Sequence, residues 1–129
     1  MVRLWPRLAL RVLAAGDPCF ARAGECLAER ALRARGWRFL ARRLDTRWAE
    51  IDLLFAEAET LVVVEVKTGR AGQRFRPGMH LRSDALARLW RAAGALARGA
   101  PARVDLVEVA LDERRHARLV HHPGIRAPL

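Results

Sequence analysis

A chain of 129 residues has room for one domain with a buried core and too little for two. Its 24 Lys and Arg against 14 Asp and Glu leave a formal charge of +10, a field that gathers polyanions and makes nucleic acid the leading partner class. Coding bias accounts for arginine over lysine, but not for the excess of base over acid. Arg3, Arg7 and Arg11 interrupt every apolar run near the start, so neither a signal h-region nor a membrane span is expected.

Residues 1–16 are expected as an extension, partly helical, ahead of a single domain over 17–129. Asp17-Pro18 offers an N-cap with proline in the first turn and Gly36 a stop, which predicts a helix from Pro18 to Arg35. Its apolar positions form two stripes, one of Phe20, Leu27, Ala31 and Ala34 and one of Ala21, Ala28 and Leu32. Glu25 shares the phase of the second stripe, a costly place for a carboxylate unless something pairs with it. Cys19 and Cys26 lie about 10 Å apart along this helix, beyond disulfide reach. A reducing cytoplasm suits them, and both read as buried small apolar residues.

Three strands are predicted next, at Trp37–Leu44, Glu50–Phe55 and Leu61–Thr68, with short polar links that suit an antiparallel meander. The third carries Val62, Val64 and Val66 on one face and Leu61, Val63, Glu65 and Lys67 on the other, so it reads as buried on both sides. A glycine-rich loop over Gly69–Leu81 holds Arg70, Arg74 and Arg76, with Arg82 just beyond. Ser83 is expected to cap a second helix with an apolar stripe of Leu86, Leu89, Trp90, Ala93 and Leu96, while Arg88, Arg91 and Arg98 line another face. Strands at Arg103–Leu111 and Ala117–His121 complete an α/β order α-β-β-β-α-β-β. The helical crossover makes the third and fourth strands a parallel, right-handed pair in an otherwise antiparallel sheet.

Among 24 cationic residues the single lysine is Lys67. A compact, mobile ammonium has been kept where a planar fork would not serve, and the strand spacing projects it from the same face as Glu65. Asp52, in Glu50-Ile51-Asp52-Leu53-Leu54, lies on the neighbouring strand of the meander, so two carboxylates and one lysine converge. Hard oxygen ligands suit Mg²⁺ or Mn²⁺. Asp52, Glu65 and the Val66 carbonyl are the candidate ligands, with Glu25 reaching in from the helix. A cation there polarises a phosphate, while Lys67 positions water or neutralises charge on the phosphoryl oxygens. Taken singly, Glu65 and Lys67 also fit an exposed ion pair, and Asp52 a strand-end residue. His80, His116, His121 and His122 lack metal-ligand spacing, and the last two read as a frayed strand end. Trp37 and Trp90 read as core; Trp5 and Trp48 stay open, Trp48 between packing and base stacking.

Gly24-Glu25 with Ala28, Leu32 and Gly36, then Glu50-Ile51-Asp52-Leu53-Leu54, Val64-Glu65-Val66-Lys67 and Arg103-Val104-Asp105 closely resemble the bacterial YraN family. That family is similar to the PD-(D/E)XK nucleases and, among them, to archaeal Holliday junction resolvases. The resemblance implies a restriction-endonuclease-like mixed sheet flanked by helices, Mg²⁺ dependence, and catalytic positions at Asp52, Glu65 and Lys67 with Glu25 as accessory. Three residues depart from the family pattern. Ala49 stands for a usual glycine, Arg43 for a common asparagine, and Ala85 lies near a usual lysine, leaving Arg82 or Arg88 to bind phosphate in its place.

The expected function is metal-dependent hydrolysis of phosphodiester bonds in structured or branched DNA by a cytoplasmic endonuclease, with homodimerisation open. Arg70, Arg74, Arg76, Arg82 and Arg88 are the candidate phosphate contacts. One alternative is a nucleic-acid-binding protein of the same fold without hydrolysis; a remoter one is an interaction adaptor kept soluble by its charge.

Overall fold

The computed structural model describes residues 2–5, 18–70, 81–112 and 116–126, and side chains from residue 21 onward within these. The elements run β1 (Val2–Trp5), α1 (Pro18–Ala34), β2 (Arg38–Asp45), β3 (Glu50–Glu57), β4 (Thr60–Arg70), α2 (Ser83–Ala97), β5 (Ala102–Leu111) and β6 (Ala117–His122). One sheet holds the six strands in the order β1-β6-β5-β4-β3-β2. Every pair is antiparallel except β4 and β5, which run parallel on either side of the α2 crossover. From α1 onward this is the expected mixed α/β order.

The alternation along β4 divides the interior in two. Val62, Val64 and Val66 pack with Leu27, Ala28, Ala31 and Leu32 of α1, whereas Val63 packs with Leu86, Leu89, Ala92 and Ala93 of α2. A central strand buried on both faces is what an uninterrupted valine run specifies. The strand's charged end, Glu65 and Lys67, lies on the α2 side by the same alternation.

Several expectations need correction. The stretch ahead of α1 contributes a strand, since Val2–Trp5 pairs with Ala117–Val120 of β6. On α1 the two expected stripes are one: Gly24, Leu27, Ala28, Ala31 and Leu32 are buried at i, i+3, i+4, i+7 and i+8, while Ala21 and Ala34 are exposed. Cys26 falls outside that stripe and is exposed. Ser83 is the first helical residue of α2 rather than its cap. Arg82 takes the N-cap position in extended conformation without a side-chain capping bond, and its carbonyl accepts the Leu86 amide at 2.9 Å. His121 and His122 are not frayed: both belong to β6, and both hydrogen-bond carboxylates of β5.

Candidate active site

The site begins with a break in the pleat. Arg42 pairs with Leu53 and Leu44 with Ile51, residues two apart that a regular strand would keep on one face. Yet Leu53 packs toward α1, while Leu44 and Ile51 pack toward α2. Between them Arg43 adopts φ +47°, a left-handed conformation rare for a side chain of its kind. Both strands change face across Arg43 and Asp52. The β3–β4 ladder runs to Leu53 and Val64, and one residue further the Asp52 carboxylate accepts the Val66 amide at 2.9 Å.

Extending that register sets Asp52 beside Glu65. Burial first, then the charge of Glu65, pushes the Asp52 carboxyl from 3.8 up to about 7, against the Val66 amide and Lys67, which favour ionisation. Glu65 is raised as well, by burial first, opposed by Lys67 and by a hydrogen bond from Asp52. The Lys67 ammonium lies 3.3 Å from Glu65 Oε1. Two carboxyls this close share a proton unless a cation replaces it.

Gly24 brings α1 close to this end of β4. A Cβ at Gly24 would lie 1.8 Å from Thr68 Oγ1, so only glycine permits the approach. The next residue, Glu25, stands near enough for its charge to raise both Asp52 and Glu65. Its carboxylate, however, accepts a hydrogen bond from Arg43 Nε at 3.2 Å. Among the described residues no three His, Cys, Asp or Glu side chains are gathered to hold a metal. The acid site is thus a pair, with Glu25 at its flank.

A cleft of about 340 Å³ opens beside Glu65 and Lys67, with Arg82, Ala85 and Arg88 of the α2 end on its wall. Ala85 lines the same cleft as the two arginines expected to stand in for a lysine. Each of these arginines lies near Asp84, at 3.5 and 3.6 Å, and both are exposed. Arg70 ends β4; Arg74 and Arg76 lie outside the described residues. Ala49 has no positive φ, and Thr46 Oγ1 accepts the Trp48 and Ala49 amides, so this turn does not require glycine. Trp48 packs partly buried in the α2-side core.

Two carboxylates of β5 are buried: Asp105, inside the Arg103-Val104-Asp105 motif, and Glu108, which no motif marks. Glu108, 4% exposed, meets His122 Nε2 at 2.6 Å and pairs in register with Lys67. The signal was a glutamate inside the apolar run Leu106-Val107-Glu108-Val109. Asp105 is fully buried and lies on the α1 side. It accepts two bonds from Arg103, one from the Gly124 amide, and one from His121. Arginine only donates, so Arg35 at 2.6 Å from His121 Nδ1 fixes Nε2 as the protonated nitrogen. Here Arg103-Val104-Asp105 locks β3, β5 and β6 to the end of α1 through Glu57, His121 and Arg35.

The profile described as "Uncharacterised protein family UPF0102" matches residues 24–109, spanning Glu25, Asp52, Glu65, Lys67 and Asp105. A UPF0102 protein of Symbiobacterium thermophilum is 39% identical over 107 residues, 78% of this chain and 91% of that protein. Another, of Mycolicibacterium vanbaalenii, is 33% identical over 108 residues, 79% of this chain and 88% of its own length. One of Mycobacterium avium is 36% identical over 110 residues, covering 79% and 85%. The chain belongs to the UPF0102 family, the YraN family that its sequence resembles.

Proposed function

We propose that this protein hydrolyses phosphodiester bonds in nucleic acid, with structured or branched DNA as the favoured substrate and Mg²⁺ or Mn²⁺ as cofactor. One observation carries the reading. Asp52 and Glu65, half-buried on adjacent strands, stand close enough for their carboxyls to interact directly, with Glu65 on the wall of a cleft and the sole lysine 3.3 Å from it. Carboxylates forced together against their own repulsion form an unfavourable arrangement for the protein alone and a favourable one around a divalent cation.

The donor set suits such an ion: Asp52 and Glu65 would hold it, with the Val66 carbonyl as a further hard oxygen. When bound, the cation supplies Lewis acidity toward a phosphoryl oxygen. The remaining work falls to the chain. Lys67 donates to phosphate or to the attacking water and is oriented by Glu65. Arg82 and Arg88 on the cleft wall neutralise the flanking backbone, as does Arg70 at the strand end. Asp52, held by the Val66 amide, keeps its orientation whether or not it is ionised.

A second reading, binding without hydrolysis, draws support from Ala85, which gives the cleft a methyl group where family resemblance expects a lysine. Incubation with linear, flapped and four-way-junction DNA in Mn²⁺ separates the two. Hydrolysis predicts cutting by the wild type and none by Asp52→Ala, Glu65→Ala or Lys67→Ala, each still binding DNA. Wild-type binding without cutting favours the second reading, and cutting that survives Asp52→Ala refutes the first.

A further inference from the structure

We propose that Arg43 contacts a phosphate of the bound nucleic acid and that Glu25 is the residue that aims it; this rests on the nucleic-acid reading above. The left-handed backbone of Arg43 is unfavourable for an ordinary L-residue. Its ion pair with Glu25, on a side chain 40% exposed, returns little. Stability alone therefore does not account for arginine at this position. Strained residues held in place by their surroundings are characteristic of ligand clamps.

The geometry says what the clamp would take. Arg43 Nε is committed to Glu25, and the Nη groups meet no acceptor among the described residues. A guanidinium fixed along its Nε edge presents a two-pronged fork matched to phosphate. Arg43 lies opposite Asp52, on the side away from Glu65. The acid pair thus has one cation on β2, beside Asp52, and another on β4, two residues beyond Glu65; these two strands lie two spacings or about 10 Å apart. A polyphosphate backbone crossing the pair would meet Lys67 at one phosphate and Arg43 at another.

The test is anisotropy of fluorescein-labelled duplex and junction DNA in EDTA across a salt series. Arg43→Asn, which tolerates a left-handed backbone, is expected to weaken binding roughly tenfold and to reduce the salt slope by about one. Glu25→Ala is the sharper arm. Charge alone says that deleting a carboxylate beside a polyanion tightens binding, whereas loss of the group that aims Arg43 weakens it. Weakening is expected, with recovery in Glu25→Gln, which keeps an acceptor, and with the double variant Glu25→Ala/Arg43→Asn no weaker than Arg43→Asn alone. Should Glu25→Ala fail to fold, Arg43→Lys decides: binding as weak as Arg43→Asn supports the fork, and wild-type affinity overturns it. Unchanged binding by Arg43→Asn, or tighter binding by Glu25→Ala, also overturns the proposal. These arms involve no cleavage, so lost cutting with intact Arg43 effects refutes only the hydrolytic reading. A wild type that binds no DNA overturns both.

Discussion

Asp52 Oδ2 lies 2.9 Å from the Val66 amide nitrogen, so a carboxylate carries the bond between β3 and β4 where their ladder stops. This arrangement has a cost that depends on pH. The Asp52 carboxyl titrates near 7 in the folded chain against an ordinary 3.8. Between these values the folded state keeps a proton that the unfolded state has released, so stability falls as pH rises through the window and stays low above it. Asp52→Asn removes the titration and keeps an acceptor for Val66. Thermal melts without divalent cation should show the variant ahead of the wild type by several degrees near pH 8, with the gap closing toward pH 4. At pH 8, Mn²⁺ should raise the melting temperature of the wild type and leave Asp52→Asn unmoved. A pH-independent gap contradicts the shared-proton account.

Gly24→Ala sets helix propensity against packing. Alanine in a helix gains about 1 kcal/mol over glycine. The new Cβ would meet Thr68 at 1.8 Å from Oγ1 and 2.9 Å from its Cβ. Rotating Thr68 relieves the first contact but not the second, so α1 must move, at about 1–3 kcal/mol. The expected outcome is a net loss of about 1 kcal/mol in urea unfolding, partly restored in Gly24→Ala/Thr68→Ala. A stabilised single variant would mean that α1 does not sit so close to β4.

What could be read from the chain follows from which signals are local. Lys67 stood out by composition, β4 by its valine alternation, and the parallel β4–β5 pair by the helix between them. The face change at Arg43 has no such mark, because pattern reading assumes an unbroken pleat and arginine carries no preference for positive φ. Val2–Trp5 is a strand of four residues, too short for its alternation to stand out in a sequence that interrupts every nearby apolar run with arginine. His121 carries no local mark because its partners are remote: Asp105 is 16 residues away and Arg35 is 86. A buried charge announces itself only once its partners are in place.

Asp105 supplies the opposite pH dependence to Asp52. Burial works to raise its carboxyl, but bonds from His121, Arg103 and the Gly124 amide outweigh it and hold the group below the ordinary 3.8. The unfolded state then takes up the proton first. The contribution is whole above about pH 4 and is lost as pH falls through the folded value. Asp105→Asn leaves Arg103 without its closest carboxylate and should cost about 3 kcal/mol in urea unfolding at neutral pH, the difference shrinking in acid. A loss under about 1 kcal/mol would place this network among ordinary surface pairs.

Ala85→Lys tests whether the cleft lacks a cation. Ala85 is partly exposed and lines the cleft with Glu65, Lys67, Arg82 and Arg88, so a lysine there has room to extend toward the acid pair. Lysine is nearly as good a helix former as alanine, but a cation in the first turn of α2 opposes the helix dipole by about 0.3–1 kcal/mol. The nearby Asp84 offsets part of that. The expected result is a small loss of stability together with tighter DNA binding and a salt slope steeper by about one. If hydrolysis is limited by phosphate placement, cutting in Mn²⁺ rises in the same variant and is still abolished by Asp52→Ala. Tighter binding with unchanged cutting would assign Ala85 to affinity alone, and unchanged binding would show that Arg82 and Arg88 already fill the role.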